Sequence, residues 1–280
     1  MNLDNIELPL LLEAIYQRYR YDFRSYSDAS LKRRLHLALN QLQCESISIL
    51  QDRVLRDPEF FLKLLQYMTV STSEMFRDPL YFSELRQSVI PTLRTFPSLK
   101  IWIAGCSTGE EVYSLSILLA EEELLERSLI YATDINPSSL EKAEKGIYSA
   151  EFIPEMTKNY GLGGGKQKLS DYYEKRNDKI IFDPELRSNV LFADHSLTTD
   201  FTFSEVHFVS CRNVMIYFDK IFQDRTIDLF FESLVYQGFL GLGAKESLRF
   251  SNHESDFQVV SSEAKIYQKK FEVAQRRNVL

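Results

Sequence analysis

Residues 101–113 read IWIAGCSTGEEVY: an apolar run, a turn holding Gly105 and Gly109, then two adjacent glutamates, Glu110 and Glu111. A run closed by glycines is how a strand of an open α/β sheet passes into its helix, with the backbone free to approach a ligand at the strand's C-terminal end. A dinucleotide site would keep that helix start for pyrophosphate, because the helix dipole favours negative charge there. Here two carboxylates occupy it. Both could simply stabilise the first helical turn, each by about 0.3–1 kcal/mol. The alternative is that one of them attracts a cationic ligand without phosphate. S-adenosylmethionine has that chemistry: an adenosine, a sulfonium and an ammonium group.

Moving downstream, SLIYATD (128–134) ends in Asp134, where a βαβ unit places the acid that hydrogen-bonds a ribose diol. Taken alone, Asp134 could equally cap the helix starting near Pro137; beside the glycine turn it suits the ribose. The alternation continues with helices over 110–127, Pro137–Lys145 and 220–236, and with strand-like runs NVLFAD (189–194), EVHFVSC (205–211) and GFLGLG (238–243). FQVVS (257–261) and AKIYQKKFE (264–272) fit a closing antiparallel pair. Such alternation predicts a mostly parallel sheet. Residues 150–188, with GLGGGK and KIIF, break the rhythm and are expected to form an inserted lobe; an insertion of that length in a compact domain is more often functional than idle.

Moving upstream, apolar residues recur at helical spacing over 8–67, as in Leu8, Leu11, Leu12, Ile15 and Tyr19, then Leu31, Leu35, Leu37 and Leu42, then Phe60, Phe61, Leu64, Leu65 and Met68. The pattern predicts an all-helical unit. Asp28 or Ser30 is expected to cap its second helix, and Asp57–Pro58 to open the third. The expected organisation is a helical domain over 1–78, a linker over 79–97 and an α/β domain over 98–280.

The bulk composition agrees with this division. A chain of 280 residues with 44% hydrophobic content can fill a sizeable core. The net charge of -7 argues against a general nucleic-acid binder. Three scattered cysteines, Cys44, Cys106 and Cys211, suggest neither a disulfide framework nor a metal site. No apolar run approaches the roughly 18–20 residues of a membrane span. A monomeric, cytoplasmic protein is expected.

Six blocks make the reading specific. TSEMFRDPLYF (72–82), IWIAGCSTGEEVYSLSILL (101–119), IYATDINPSSLEKAEKGIY (130–148), NVLFADHSL (189–197), CRNVMIYFD (211–219) and GFLGLGAKESL (238–248) resemble, in order and spacing, the chemotaxis receptor methyltransferase family, CheR. The resemblance implies a Rossmann-like S-adenosylmethionine-dependent domain beside a helical one. It also implies methyl transfer to glutamate side chains on the cytoplasmic helices of methyl-accepting chemotaxis receptors. The cofactor positions it implies are Ser71, Ser73, Arg77, the Glu110/Glu111 pair, Asp134, Ser196, Leu197, Arg212 and Asn213, to which the glycine turn adds Gly105. Serine stands at 71, 73 and 196 where the family commonly has Asn, Thr and Asn; each serine offers a hydroxyl that donates and accepts. His207 and Met75 replace the family's usual Asp and Phe, and neither change removes a group the chemistry needs.

A substrate glutamate, with a reference pKa of about 4.3, is already ionised at neutral pH and needs no general base. Positioning remains, and Arg77 and Tyr217 are the candidates for it: a guanidinium forks onto carboxylates, and a phenol donates one hydrogen bond. The competing readings are an Arg77–Asp78 ion pair and core packing of Tyr217 beside Ile216 and Phe218. Lys32, Arg33, Arg34, Arg53 and Arg56 form basic surface suited to an acidic substrate helix, or else a solvated face. The alternative functions are methylation of another substrate and a non-catalytic cofactor-binding sensor.

Overall fold

The computed structural model describes residues 4–70 and 73–271. Four helices come first: α1 (Asp4–Tyr19), α2 (Asp28–Gln41), α3 (Ile47–Arg56) and α4 (Pro58–Met68). Their apolar faces meet in one cluster that includes Leu11, Ile15, Leu31, Leu50, Leu64 and Leu65, all fully buried. Asp57 caps α4, accepting the Glu59 amide at 3.0 Å, with Pro58 in the first turn as expected. The expectation for α2 needs correction. Its N-cap is Ser27, whose N–H is bonded to Tyr217 O at 2.9 Å, while the Ser30 hydroxyl accepts from Arg34. Ser27 itself makes no side-chain cap there.

The stretch expected as a linker is helical and buried. α5 (Pro79–Glu84) runs through a π-turn, Leu85–Val89, into α6 (Ile90–Leu93). Pro91 has no N–H to donate back along the helix, and the ladder widens just before it. Tyr81, Phe82, Leu85, Val89, Ile90 and Leu93 enter the same core as Leu99, Ile101 and Ile103 of the first strand.

The α/β part follows as β1 (Leu99–Ala104), α7 (Glu110–Glu121), β2 (Ser128–Asp134), α8 (Pro137–Lys145), β3 (Ile147–Ser149), α9 (Ile153–Leu162), β4 (Tyr173–Arg176), β5 (Lys179–Phe182), β6 (Val190–Asp194), β7 (Val206–Cys211), α10 (Lys220–Ser233), β8 (Leu234–Leu242), β9 (Phe257–Ser261) and β10 (Ile266–Lys269). The main sheet has the order β6-β2-β1-β7-β8-β10-β9. β6, β2, β1, β7 and β8 are parallel, and β10 and β9 close the sheet antiparallel. Five of the six residues of β1 are buried, as a strand covered on both faces requires. The order reverses between β1 and β7, so the crevice beyond their C-terminal ends is the usual binding edge of such a sheet.

The helix expected over 110–127 stops at Glu121, and the backbone turns left-handed at Glu123, φ 58°. Glu122 pairs with Arg86, Arg94 and Lys166 at 2.6–2.8 Å. Likewise α10 ends at Ser233 rather than continuing to 236, since β8 starts at Leu234. The inserted lobe exists, as a three-stranded antiparallel sheet, β3-β5-β4, with α9. Its glycine loop is anchored on α7: Glu121 accepts the N–H groups of Lys166 (3.0 Å) and Gln167 (3.1 Å) and the hydroxyl of Tyr172 (3.2 Å). Among the described residues no helix is long and apolar enough to cross a membrane.

Candidate active site

An open cleft with about 970 Å³ of empty space, solvent-side space included, lies over the switch point between β1 and β7. Of the residues singled out in sequence, Ser73, Arg77, Gly105, Glu111, Asp134, Ser196, Leu197, Arg212, Asn213 and Tyr217 line it. Glu110 does not, and Ser71 lies outside the described residues.

The turn from β1 to α7 explains the glycines. Gly105 has φ +75°, and a Cβ there would lie 2.4 Å from Val214, itself part of the cleft wall. Gly109 has φ +94°, and a Cβ there would lie 2.7 Å from the Ala143 Cβ on α8. Between them Ser107, at φ 52°, gives its N–H to Asp134 Oδ2 at 2.8 Å. Asp134 Oδ1 accepts the Asn136 amide at 2.9 Å. Asn136, not Asp134, caps α8, accepting from Ser138 and Ser139. The capping alternative for Asp134 is thereby set aside. Burial pushes the Asp134 pKa up, against the pull of the backbone amides.

The two glutamates divide the roles. Glu110 turns back to the Thr108 hydroxyl (2.7 Å) and Ser73, and burial raises its pKa against those hydrogen bonds. Glu111 faces the cleft, held by the Ser210 hydroxyl and by Arg212 at 3.1 Å. Each of its oxygens keeps a further lone pair. Arg212 itself is buried at the end of β7. It also pairs with Asp78 at 2.7 Å, donates to Arg77 O at 2.8 Å and lies 4.2 Å from the Tyr81 ring centroid. Asp78 therefore binds Arg212, and among the described residues no carboxylate pairs with Arg77. Tyr217 is half-buried at the cleft, with Ile216 exposed beside it.

Sequence reasoning missed the contribution of the helical unit. Tyr26, Arg34, Thr69 and Val70 also line the cleft. Arg34, expected on the basic surface, is 6% exposed and points inward. It donates to Met68 O and to Ser30 O (3.2 Å), and lies 5.2 Å from the Tyr217 ring centroid. Burial lowers its pKa, and no described carboxylate pairs with it. Arg33, Arg53 and Arg56 remain exposed, Arg56 paired with Asp52 at 2.6 Å. His207 stands early in β7 and accepts the Lys100 amide at 3.0 Å, a structural role away from the cleft.

Buried polar atoms without a partner are rare in folded chains, and each calls for an explanation. Ser107 Oγ, His195 Nδ1, Arg212 Nε and Asn213 Oδ1 are such atoms, and all four residues line this cleft; the remaining described case, Ser116 Oγ, does not. A polar ligand carrying groups of both signs fits this lining: two carboxylates, the guanidiniums of Arg34, Arg77 and Arg212, and several unsatisfied donors and acceptors, with apolar Leu197 and Val214 among them.

Residues 71–266 match the model described as CheR methyltransferase, SAM binding domain, and residues 6–69 match CheR methyltransferase, all-alpha domain. The chain belongs to the CheR methyltransferase family. Its relatives include Cher3 of Pseudomonas putida KT2440, named as a methyltransferase without a stated substrate, 56% identical across 95% of this chain and 97% of that one. Chemotaxis protein methyltransferase 1 of Pseudomonas aeruginosa is 32% identical across 69% and 71%. The chemotaxis protein methyltransferase of Listeria innocua is 28% identical across 81% and 84%. Family membership places an S-adenosylmethionine-binding methyltransferase domain over the part of the chain that forms most of the cleft.

Proposed function

We propose that this CheR-family chain methylates glutamate side chains on the cytoplasmic helical domain of chemotaxis receptors, forming glutamyl methyl esters. The observation that carries the reading is the cleft lining, where Glu111 and Asp134 stand among partnerless polar atoms, while Glu110 and Glu111 put negative charge at the α7 start that a phosphate-type anion would need. The relatives named as chemotaxis methyltransferases support the substrate class.

S-adenosylmethionine, when bound, supplies an electrophilic methyl on sulfonium. Asp134 suits the ribose hydroxyls, and Glu111 the ammonium group. Ser73, Gly105, Ser196, Leu197, Arg212 and Asn213 complete the lining, with Arg212 fixing Glu111 in place. Arg77 and Tyr217 orient the reacting carboxylate. Such orientation is worth about 7–11 kcal/mol in the best intramolecular cases. Arg77 suits this role because no described carboxylate occupies it. No proton need be removed, so the chain's task is to align an oxygen with the methyl carbon and exclude water.

The test is incubation with methyl-labelled cofactor and receptor cytoplasmic fragments. Base-labile label that releases methanol is expected. Alkali-stable label would overturn the ester assignment, and cofactor binding with no transfer to any fragment would favour a sensor.

A further inference from the structure

Three residues of the cleft, Arg212, Asn213 and Tyr217, ride on the turn that follows β7. Asn213 holds φ 60° there, a left-handed conformation that asparagine adopts more readily than most residues. Bound to this turn is Glu246, in the turn after β8 and outside the cleft lining. It is 6% exposed. Its Oε2 accepts the N–H groups of Asn213 (3.0 Å) and Gly243 (2.7 Å), and its Oε1 those of Val214 (2.9 Å) and Ile216 (3.3 Å). Gly243 permits the approach: a Cβ there would lie 2.7 Å from both Asn213 N and Glu246 Oε2. Among the described residues no lysine or arginine pairs with this carboxylate, so backbone dipoles carry its charge, as they do in anion-binding nests.

We propose that Glu246 is a positioning residue for methyl transfer: it gathers four backbone amides from two strand ends onto one carboxylate and so fixes the turn that presents Asn213 and Tyr217 to the cleft. The inference rests on the reading that the cleft holds S-adenosylmethionine. A carboxylate is required because a carboxamide has one accepting atom and one donating group. In Glu246→Gln, two of the four amides would face an NH₂.

Calorimetric titration with S-adenosylhomocysteine on the full chain tests this. Glu246→Gln and Asn213→Ala should each weaken binding by about tenfold or more, and the double variant should lose no more than about threefold beyond Asn213→Ala, since both act through one turn. Losses that multiply in the double variant, or either single variant binding within about twofold of the unaltered chain, would overturn the proposal. Failure of the unaltered chain to bind S-adenosylhomocysteine would instead sink the cofactor reading. If Glu246→Gln does not fold, hydrogen exchange on the unaltered chain decides: peptides covering 211–218 should be protected without ligand and more so with it. Exchange there at unfolded rates would also overturn the proposal.

Discussion

Asp134 is a carboxylate that its surroundings make reluctant to ionise, and that reluctance has two pH signatures of opposite sign. Burial raises its pKa above the ordinary 3.8. Ribose hydroxyls would donate to the ionised form, so affinity for S-adenosylhomocysteine should fall as pH drops through the raised value, at a pH where an exposed aspartate would still be charged. Asp134→Asn should flatten that limb and weaken binding at pH 7 by about tenfold or more, the loss of a charge-assisted pair of hydrogen bonds. Binding by Asp134→Asn that matches the unaltered chain at every pH would remove the ribose role. Without ligand the sign reverses. The folded state holds this proton more tightly than the unfolded state, so the contribution to stability is full below the unfolded pKa and is lost as pH rises through the folded one. Asp134→Asn should therefore gain thermal stability relative to the unaltered chain on going from acid to neutral pH, as differential scanning calorimetry in a pH series would show.

Two helices carry glycines that answer opposite demands. Gly109 precedes α7 at φ +94° with α8 against it, so Gly109→Ala strains the backbone by about 1–3 kcal/mol and should lower the melting temperature by several degrees while displacing Glu111. Gly161, inside α9 with nothing within 4 Å of an added Cβ, should behave the other way, Gly161→Ala stabilising by about 0.4–1 kcal/mol. Chemical denaturation of both variants checks the pair. The same elements show why some of the fold was legible in sequence. The parallel strands announce themselves through continuous apolar runs, and the glycine turn with its following acids is local, so β1, β2, Gly105, Asp134 and the Glu110/Glu111 pair could be read from spacing, but not which of the two glutamates faces the cleft. Helix α3, ISILQDRVLR, carries β-branched Ile47, Ile49 and Val54 against its propensity, but Ile47, Leu50 and Val54 recur at helical spacing and are buried in the helical cluster, so its face was there to be read. The stretch 79–93 looked like a linker for a different reason. Its helices are short and broken at Pro91, and its apolar residues acquire a purpose only against the sheet.

Across the whole molecule, the helical unit and the sheet share one site. The Ser27 amide bonds Tyr217 O, and Tyr26 forms a bridge with Phe218, bringing Arg34 beside Tyr217 although 183 positions separate them in the chain (217 minus 34). No sequence pattern encodes such proximity, which is why Arg34 read as surface charge. Its placement is costly, since among the described residues this buried guanidinium is satisfied by carbonyls and one hydroxyl, without the anion that usually offsets desolvation. A carboxylate arriving with the ligands would supply that anion. Arg34→Met, which keeps the aliphatic length and removes the charge, should fold with a melting temperature at or above that of the unaltered chain, because apolar replacement of a buried charge is often neutral or stabilising. Methyl transfer to receptor fragments should nonetheless fall by about tenfold or more. Parallel titration with S-adenosylhomocysteine assigns the partner: intact affinity points to the substrate carboxylate, and lost affinity to the carboxylate of the cofactor. Undiminished methyl transfer by a folded Arg34→Met chain would show that the cation serves neither.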